Sequence, residues 1–250
     1  MLDPGLPSAT TALLGVVVAV SQTVETVTGF GGTVMSLSLG AHLMSLDALV
    51  VSLVLLNLLQ NAWLVVRGRK HLQLRLLLTR IVPLCGVGLA IGATLFRLLG
   101  TAGLKPVLGA FVVTAAALEL VRLMRKTQPA PSALHPVASA ALLIGGGIFH
   151  GLFASGGPLV VYYASRALPD KQAFRATLSL LWLILNSTLL VSFALGGQLT
   201  RSAAWLSVLL LPALGLGIVL GEIVHHRVDE TKFRKLVQGV LLATGIFLLL

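Results

Sequence analysis

The chain has 250 residues, of which 56% are hydrophobic and only 10% are charged, and its mean hydropathy is +0.98. A soluble domain carries about 25% charged residues, so this composition excludes an ordinary soluble protein. The formal net charge of +10 would suit a nucleic-acid-binding protein, but the basic residues lie in short stretches between apolar segments and form no stripe with aromatic residues. We therefore expect a lipid bilayer, and no nucleic acid, as the environment of this chain.

The first half of the sequence contains apolar segments close to the roughly 20 residues that a helix needs to cross the hydrocarbon core. The first of these, at 12–45, is interrupted by glycines. Three uninterrupted spans are predicted after it, at 46–66, 77–97 and 104–122.

The second half repeats this order. An interrupted apolar segment at 134–166 is followed by predicted spans at 173–195, 203–224 and 232–250. Helices satisfy their own backbone groups in lipid, whereas open strands do not. The sequence thus predicts an all-α polytopic membrane protein in which each half is a glycine-broken helical hairpin followed by three transmembrane helices.

The two halves also match in detail. The Gly-Phe-Gly-Gly sequence at 29–32 corresponds to the Ser-Gly-Gly region at 154–158 with an offset of 125 residues, and Asn57 corresponds to Asn186 with an offset of 129. This correspondence predicts an internal duplication with a first repeat at 1–124, a linker at 125–136 and a second repeat at 137–250.

The placement of basic residues predicts the orientation, because short cytoplasmic loops collect Lys and Arg. Fifteen of the 18 basic residues fall on one side of the predicted spans, leaving Arg97, Lys105 and Arg201 for the other. Each interrupted segment must then begin and end on one side, as a hairpin. With an odd number of net crossings per half, the repeats are inverted, as in many transporters, and both termini are extracytoplasmic. The arms of about 16 residues leave open whether they span fully; we favour two tilted short helices that meet at the break.

The duplicated breaks are candidates for a substrate site, because interrupted helices in corresponding positions often mark one in transporters. Amide groups at the start of the following helix favour an anion, and Thr33 and Ser155 add hydroxyl donors. Close helix packing through small residues is the alternative for the glycines, and bridging between helices is the alternative for the two asparagines. The predicted substrate-binding residues are Gly29, Gly31, Gly32, Thr33, Asn57, Ser155, Gly156, Gly157 and Asn186.

Glu25 and His150 occupy equivalent positions, each shortly before its glycine break. An ionisable residue at membrane depth is costly and is a functional candidate, and histidine titrates near neutral pH. Both residues are therefore candidate proton carriers. The alternative is structural, with Glu25 near the extracytoplasmic end of its helix and His150 bonded to a neighbouring helix.

The sequence shows no catalytic or cofactor motif such as a Walker loop or His-Glu-x-x-His. The single cysteine, Cys85, excludes an intrachain disulfide and a thiolate metal cluster. We expect no enzyme activity, no cofactor and no bound metal.

The glycine motifs at 28–32 and 147–158, the basic turn Arg-Gly-Arg at 67–69, and the equivalent Pro83 and Pro212 together resemble the TauE/SafE sulfite exporter family of membrane permeases. The resemblance covers nearly the whole chain. It implies secondary transport across the bacterial inner membrane of sulfite, sulfoacetate, an aromatic sulfonate or another organosulfur anion. Thr33 and Ser155 stand where many members have glycine. Because both positions lie at the predicted site, these departures bear on which substrate is bound more than on membership of the family.

Two other functional classes remain open from the sequence. A channel would share the anion-binding helix ends, and a non-transporting membrane assembly partner would share the hydropathy. Helix-bundle transporters work as monomers and as dimers, so a homodimer is compatible with the sequence. Export and import are not distinguished, because direction follows the gradients.

Overall fold

A computed structural model describes residues 8–124, 134–155, 157–168 and 170–225, together with 238–239, 241–243, 245–246 and 249. Every regular element in this part of the chain is helical, and six helices are long and apolar enough to cross a membrane. The predicted all-α polytopic fold is thereby confirmed. Most of the predicted linker at 125–136 and of the predicted span at 232–250 lies outside the described residues.

The first half begins with a helix, a short break and a second, shorter helix. A long helix follows and ends at the basic turn, where a 3-10 turn covers Arg69–His71. A short helix then passes through a π turn at Leu77–Ile81 into a helical stretch that reaches residue 124. The elements are α1 (Ser8–Thr28), α2 (Gly32–Gly40), α3 (Leu46–Gly68), α4 (Leu74–Leu76) and α5 (Val82–Met124).

The second half has the same opening of long helix, break and short helix. Its elements are α6 (Pro136–Phe153), α7 (Gly157–Ala167), α8 (Lys171–Leu195) and α9 (Arg201–His225). Local chemistry fixes the starts of two of them. Pro136 occupies the first turn of α6, where its missing N–H costs nothing, and the Asp170 carboxylate caps α8 by accepting from the Ala173 N–H at 2.7 Å.

The helical stretch α5 covers two predicted spans without the interruption that we expected between 97 and 104. It is not straight, however. Gly92 packs closely against Ile148 and Gly151, and the ring of Phe111 lies 4.0 Å from that of Phe149. In a straight helix, residues 92 and 111 would be about 28 Å apart, too far for both to meet the same stretch of α6. The chain therefore folds back within α5, and its two apolar parts, Leu74–Leu99 and Gly103–Leu118, lie side by side.

The two arms of each broken segment are unequal, contrary to the similar short arms that we favoured. The 21 residues of α1 and the 18 of α6 extend over about 31 and 27 Å, enough to cross the hydrocarbon core. The nine residues of α2 and the 11 of α7 extend over about 13 and 16 Å. The second arm of each hairpin therefore reaches about halfway across a bilayer.

Glycines allow two close and corresponding helix contacts. Gly88 and Gly92 of α5 pack against the backbone of α6, and Gly217 and Gly221 of α9 pack against α1. The glycine pairs are 129 residues apart, and every partner in α6 lies 125 residues after a partner in α1. The partners are Ile144, Gly147, Ile148 and Gly151 in α6, and Ala19, Gln22, Thr23 and Thr26 in α1.

Helices α3 and α8 run antiparallel through the molecule between these two pairs. The end of α3 meets the start of α8, where Gly68 faces Ala176 and the Gln73 N–H donates to the Thr177 hydroxyl at 3.1 Å. Asn57 and Asn186 consequently lie in the interior of these helices, and each side chain is only 1% exposed.

Candidate functional site

The first break, at residues 29–31, depends on glycine. Gly29 and Gly31 have φ angles of 80° and 93°, in the left-handed region that only glycine adopts freely. Gly32, at the start of α2, needs the absence of a side chain for another reason, because a Cβ there would collide with the Ser21 carbonyl and lie 2.7 Å from the Glu25 carboxylate. The sequence thus turns the chain sharply and brings α2 against α1.

The second break lies at the corresponding place in the second half, but its backbone conformation is different. Ala154 has a φ of 49°, a left-handed conformation that costs an alanine roughly 1 kcal/mol. Gly156 lies outside the described residues. Helix α7 begins at Gly157, and Pro158 occupies its first turn, where no N–H is needed for the helix.

Both breaks line one small buried cavity. Its volume for the centre of a water-sized sphere is about 10 Å³, room for about one water molecule. No Lys or Arg side chain is among the described residues that line it. The lining residues are Glu25, Phe30, Gly31, Thr33, His150, Ala154, Ser155, Gly157, Trp182 and Asn186.

Glu25 reaches across the first break to the start of α2. Its Oε2 atom accepts from the Thr33 N–H at 3.0 Å and from the Thr33 hydroxyl at 3.2 Å. The Gly32 N–H and the Asn61 amide lie beside the same carboxylate. A carboxylate at a helix N-terminus satisfies unpaired N–H groups and interacts favourably with the helix dipole.

A polar network extends from this contact into α3. The Asn57 amide donates to the Thr33 hydroxyl at 2.9 Å, and its oxygen accepts from the Gln22 amide at 3.2 Å. Gln60 donates to the Thr26 hydroxyl at 2.9 Å. These hydrogen bonds tie α1, α2 and α3 together behind the cavity.

The second break carries a different set of side chains. The His150 ring stacks on Trp182, with centroids 5.3 Å apart and planes 9° from parallel, and the Trp182 Nε1–H donates to the Gly29 carbonyl at 3.3 Å. Trp182 thereby joins the two breaks. Asn186 lines the cavity next to His150, and its buried Oδ1 atom has no hydrogen-bond partner in the described part of the chain.

Seven of the residues selected from the sequence line the cavity. They are Glu25, Gly31, Thr33, His150, Ser155, Gly157 and Asn186. Gly29, Gly32 and Asn57 do not line the cavity, but each contacts a residue that does. The contacts are those of Gly29 with Trp182, Gly32 with Glu25 and Asn57 with Thr33.

Sequence reasoning missed three lining residues, Phe30, Ala154 and Trp182. Trp63 and Trp205 are 45% and 40% exposed, whereas Trp182 is only 5% exposed. Its position in the interior of a predicted span, away from the ends where interfacial tryptophans collect, was the available signal.

A larger apolar groove lies on the other side of Phe30. It has a volume of about 1060 Å³ and runs between α5, α6 and α7. Arg166 lies in its wall and stacks over the Tyr162 ring at 3.9 Å. Phe30 lines both the groove and the small cavity, so its side chain separates the two spaces.

A family model described as Sulfite exporter TauE/SafE matches residues 13–248. The match includes both breaks and every described residue of the cavity. No curated protein and no solved structure matches the chain.

Proposed function

The chain belongs to the sulfite exporter TauE/SafE family, whose members are membrane transporters rather than enzymes, and from this premise we propose that it is a secondary transporter for a small sulfur-containing anion. Sulfite, sulfoacetate and an organosulfonate are the substrates that we propose. The observation that carries the proposal is the buried polar cavity in which two helix breaks, one from each half, meet.

The chemistry of the cavity supports an anion with oxygen atoms. The first turn of a helix offers N–H groups without intrahelical partners and about half a positive charge. Ser155 and the Asn186 amide add donors on the same wall. Such a site offers an oxyanion hydrogen-bond donors without a fixed positive charge that would hold it too tightly for release.

Alternating access is supported by the correspondence between the halves. Helix α5 packs on α6 through the same residue positions by which α9 packs on α1, as expected for two inverted repeats that rock against each other. The cavity has room for about one water molecule, so an anion of four or more heavy atoms fits only when the helices around it move. We propose that both termini are extracytoplasmic and that the protein lies in the bacterial inner membrane.

Proton coupling is proposed for Glu25 and His150. Both ionisable side chains are buried, at 4% and 1% exposure, and both line the cavity. A negative substrate beside the Glu25 carboxylate is electrostatically unfavourable, and a proton taken up with the substrate removes that repulsion. His150 lines the same cavity, where a proton on its ring would attract the same anion.

Flux into proteoliposomes tests this function. Labelled sulfite and a labelled aryl sulfonate are offered with and without an imposed pH gradient, and wild type is compared with Gly157→Leu, which fills the cavity. Gly215→Leu is the matched control, since a side chain at Gly215 meets nothing within 4 Å. We expect saturable flux that Gly157→Leu abolishes, Gly215→Leu preserves and His150→Ala uncouples from pH.

The other outcomes separate the remaining classes. Flux that does not saturate and ignores the pH gradient would identify a channel. The absence of flux for every sulfur oxyanion in folded protein would contradict the proposed substrate and favour an assembly role.

A further inference from the structure

The two helix breaks are not equivalent as anion sites. At the first break the start of α2 is already filled, because the Glu25 Oε2 atom accepts from both the N–H and the hydroxyl of Thr33. Helix α2 also packs closely against this carboxylate, since a Cβ on Gly32 would lie 2.7 Å from Oε2. An external anion therefore has no room at this helix end while Glu25 occupies it.

The second break lacks the groups that fill the first. With the offset of 125 residues, Glu25 corresponds to His150, Gln22 to Gly147 and Thr33 to Pro158. No carboxylate stands in the second half where Glu25 stands in the first. The start of α7 is consequently not capped by a side chain equivalent to Glu25.

Asn186 shows the consequence of these replacements. Its counterpart Asn57 is held on one side by Gln22 and on the other by Thr33, but the residues at the corresponding positions of the second half have no polar side chain. Asn186 is 1% exposed, lines the cavity and leaves its Oδ1 atom without a partner in the described residues. Because no donor in the described residues holds this oxygen, the amide can turn about its last side-chain torsion and present its Nδ2–H group, the donor that an anion requires, to the cavity.

We propose that the substrate binds at the second break alone, against the first turn of α7, Ser155 and Asn186, and that Glu25 is a built-in carboxylate which fills the equivalent site of the first half. This inference rests on the proposed function, and it specifies where the anion lies and how many are bound. One chain then binds one anionic head group. Thr33, Gly32 and Asn57 position Glu25 and do not contact the substrate.

Isothermal titration of the full-length protein in detergent tests this proposal, with sodium sulfite and sodium methanesulfonate as probes. We expect one anion per chain. Asn186→Leu removes a hydrogen bond to a charged ligand and weakens binding by about tenfold or more. Gln60→Leu removes an amide that belongs to the first-half network but does not line the cavity, and it changes the affinity by less than about twofold because the residue does not touch the anion.

The titration separates failure of the inference from failure of the function. Two anions per chain, or equal losses in Asn186→Leu and Gln60→Leu, would overturn the single-site proposal and leave an anion transporter. No binding of either probe to folded wild type would overturn the proposed function, and this inference with it.

A second measurement examines the built-in carboxylate directly. Glu25→Ala leaves the start of α2 empty, so added formate should occupy the vacated position and raise the melting temperature of this variant. Wild type and Asp47→Ala, which removes a carboxylate from the first turn of α3, serve as controls and should not respond. An equal response to formate in all three proteins would contradict the role assigned to Glu25.

Discussion

The two halves of this protein use the same chain path for different purposes. The first break is closed by a hydrogen-bond network that joins Glu25, Thr33, Asn57 and Gln22. At the second break, Asn186 lines the cavity with an oxygen that has no partner in the described residues, and Ala154 holds a left-handed backbone. The two breaks therefore occupy corresponding places in the sequence but carry different side chains.

The two breaks differ in how their buried asparagine amides are held. Asn57 is held by hydrogen bonds on both sides, whereas no hydrogen bond within the described residues holds the Asn186 oxygen. Trp182 connects the two, because its indole donates to the Gly29 carbonyl of the first break and stacks on His150 of the second.

The largest expected difference between the halves is in the stability lost when the first glycine of each short helix is replaced by alanine. In Gly32→Ala, the new Cβ collides with the Ser21 carbonyl and with Glu25, whereas in Gly157→Ala it meets only Phe30, at 3.8 Å. We expect Gly32→Ala to destabilise the protein by about 3 kcal/mol and Gly157→Ala to leave stability nearly unchanged. Thermal unfolding in detergent measures both, and equal losses would contradict the asymmetry between the breaks.

Replacing the two asparagines should affect different properties, stability for Asn57 and transport for Asn186. The difference in stability between these two variants should be smaller than that between the two glycine variants. Asn57→Leu leaves Gln22 and Thr33 without their partner, which costs about 1–3 kcal/mol of stability. Asn186→Leu removes an amide whose oxygen is unpaired, so stability is retained or increases while transport is lost. Unfolding and flux measured on the same two preparations provide the comparison. A stability loss in Asn186→Leu as large as that in Asn57→Leu would show that Asn186 is structural.

Much of this arrangement could be predicted from the sequence. Hydropathy located the spans, since the observed α3 and α8 begin and end within about two residues of their predicted limits. The glycine pairs located both breaks, because few other residues tolerate the backbone that Gly29 and Gly31 adopt. The offset between the halves identified Glu25 and His150 as equivalent residues, and both line the cavity.

Other features depended on three-dimensional packing. Hydropathy predicted the end of one span at 97 and the start of the next at 104, but it did not predict that the backbone stays helical between them, as it does in α5. The Glu25 contact with Thr33 depends on the angle between α1 and α2, which periodicity does not specify. The open state of Asn186, in contrast, was encoded in the sequence, because Gly147 and Pro158 replace the residues that hold Asn57.

The smallest expected effect concerns Phe30, which lies between two left-handed glycines of the first break and separates the cavity from the apolar groove. If this side chain limits access, Phe30→Ala should accelerate modification of a cysteine placed in the cavity by several-fold. The measurement uses Ser155→Cys in a Cys85→Ala background, which removes the single native thiol, and a methanethiosulfonate reagent.

Phe111→Ala is the matched control, because Phe111 lines the groove but not the cavity. Equal rates in the two variants would mean that the reagent reaches the second break by a path that does not pass Phe30, and the first half would then bound the cavity without controlling entry to it.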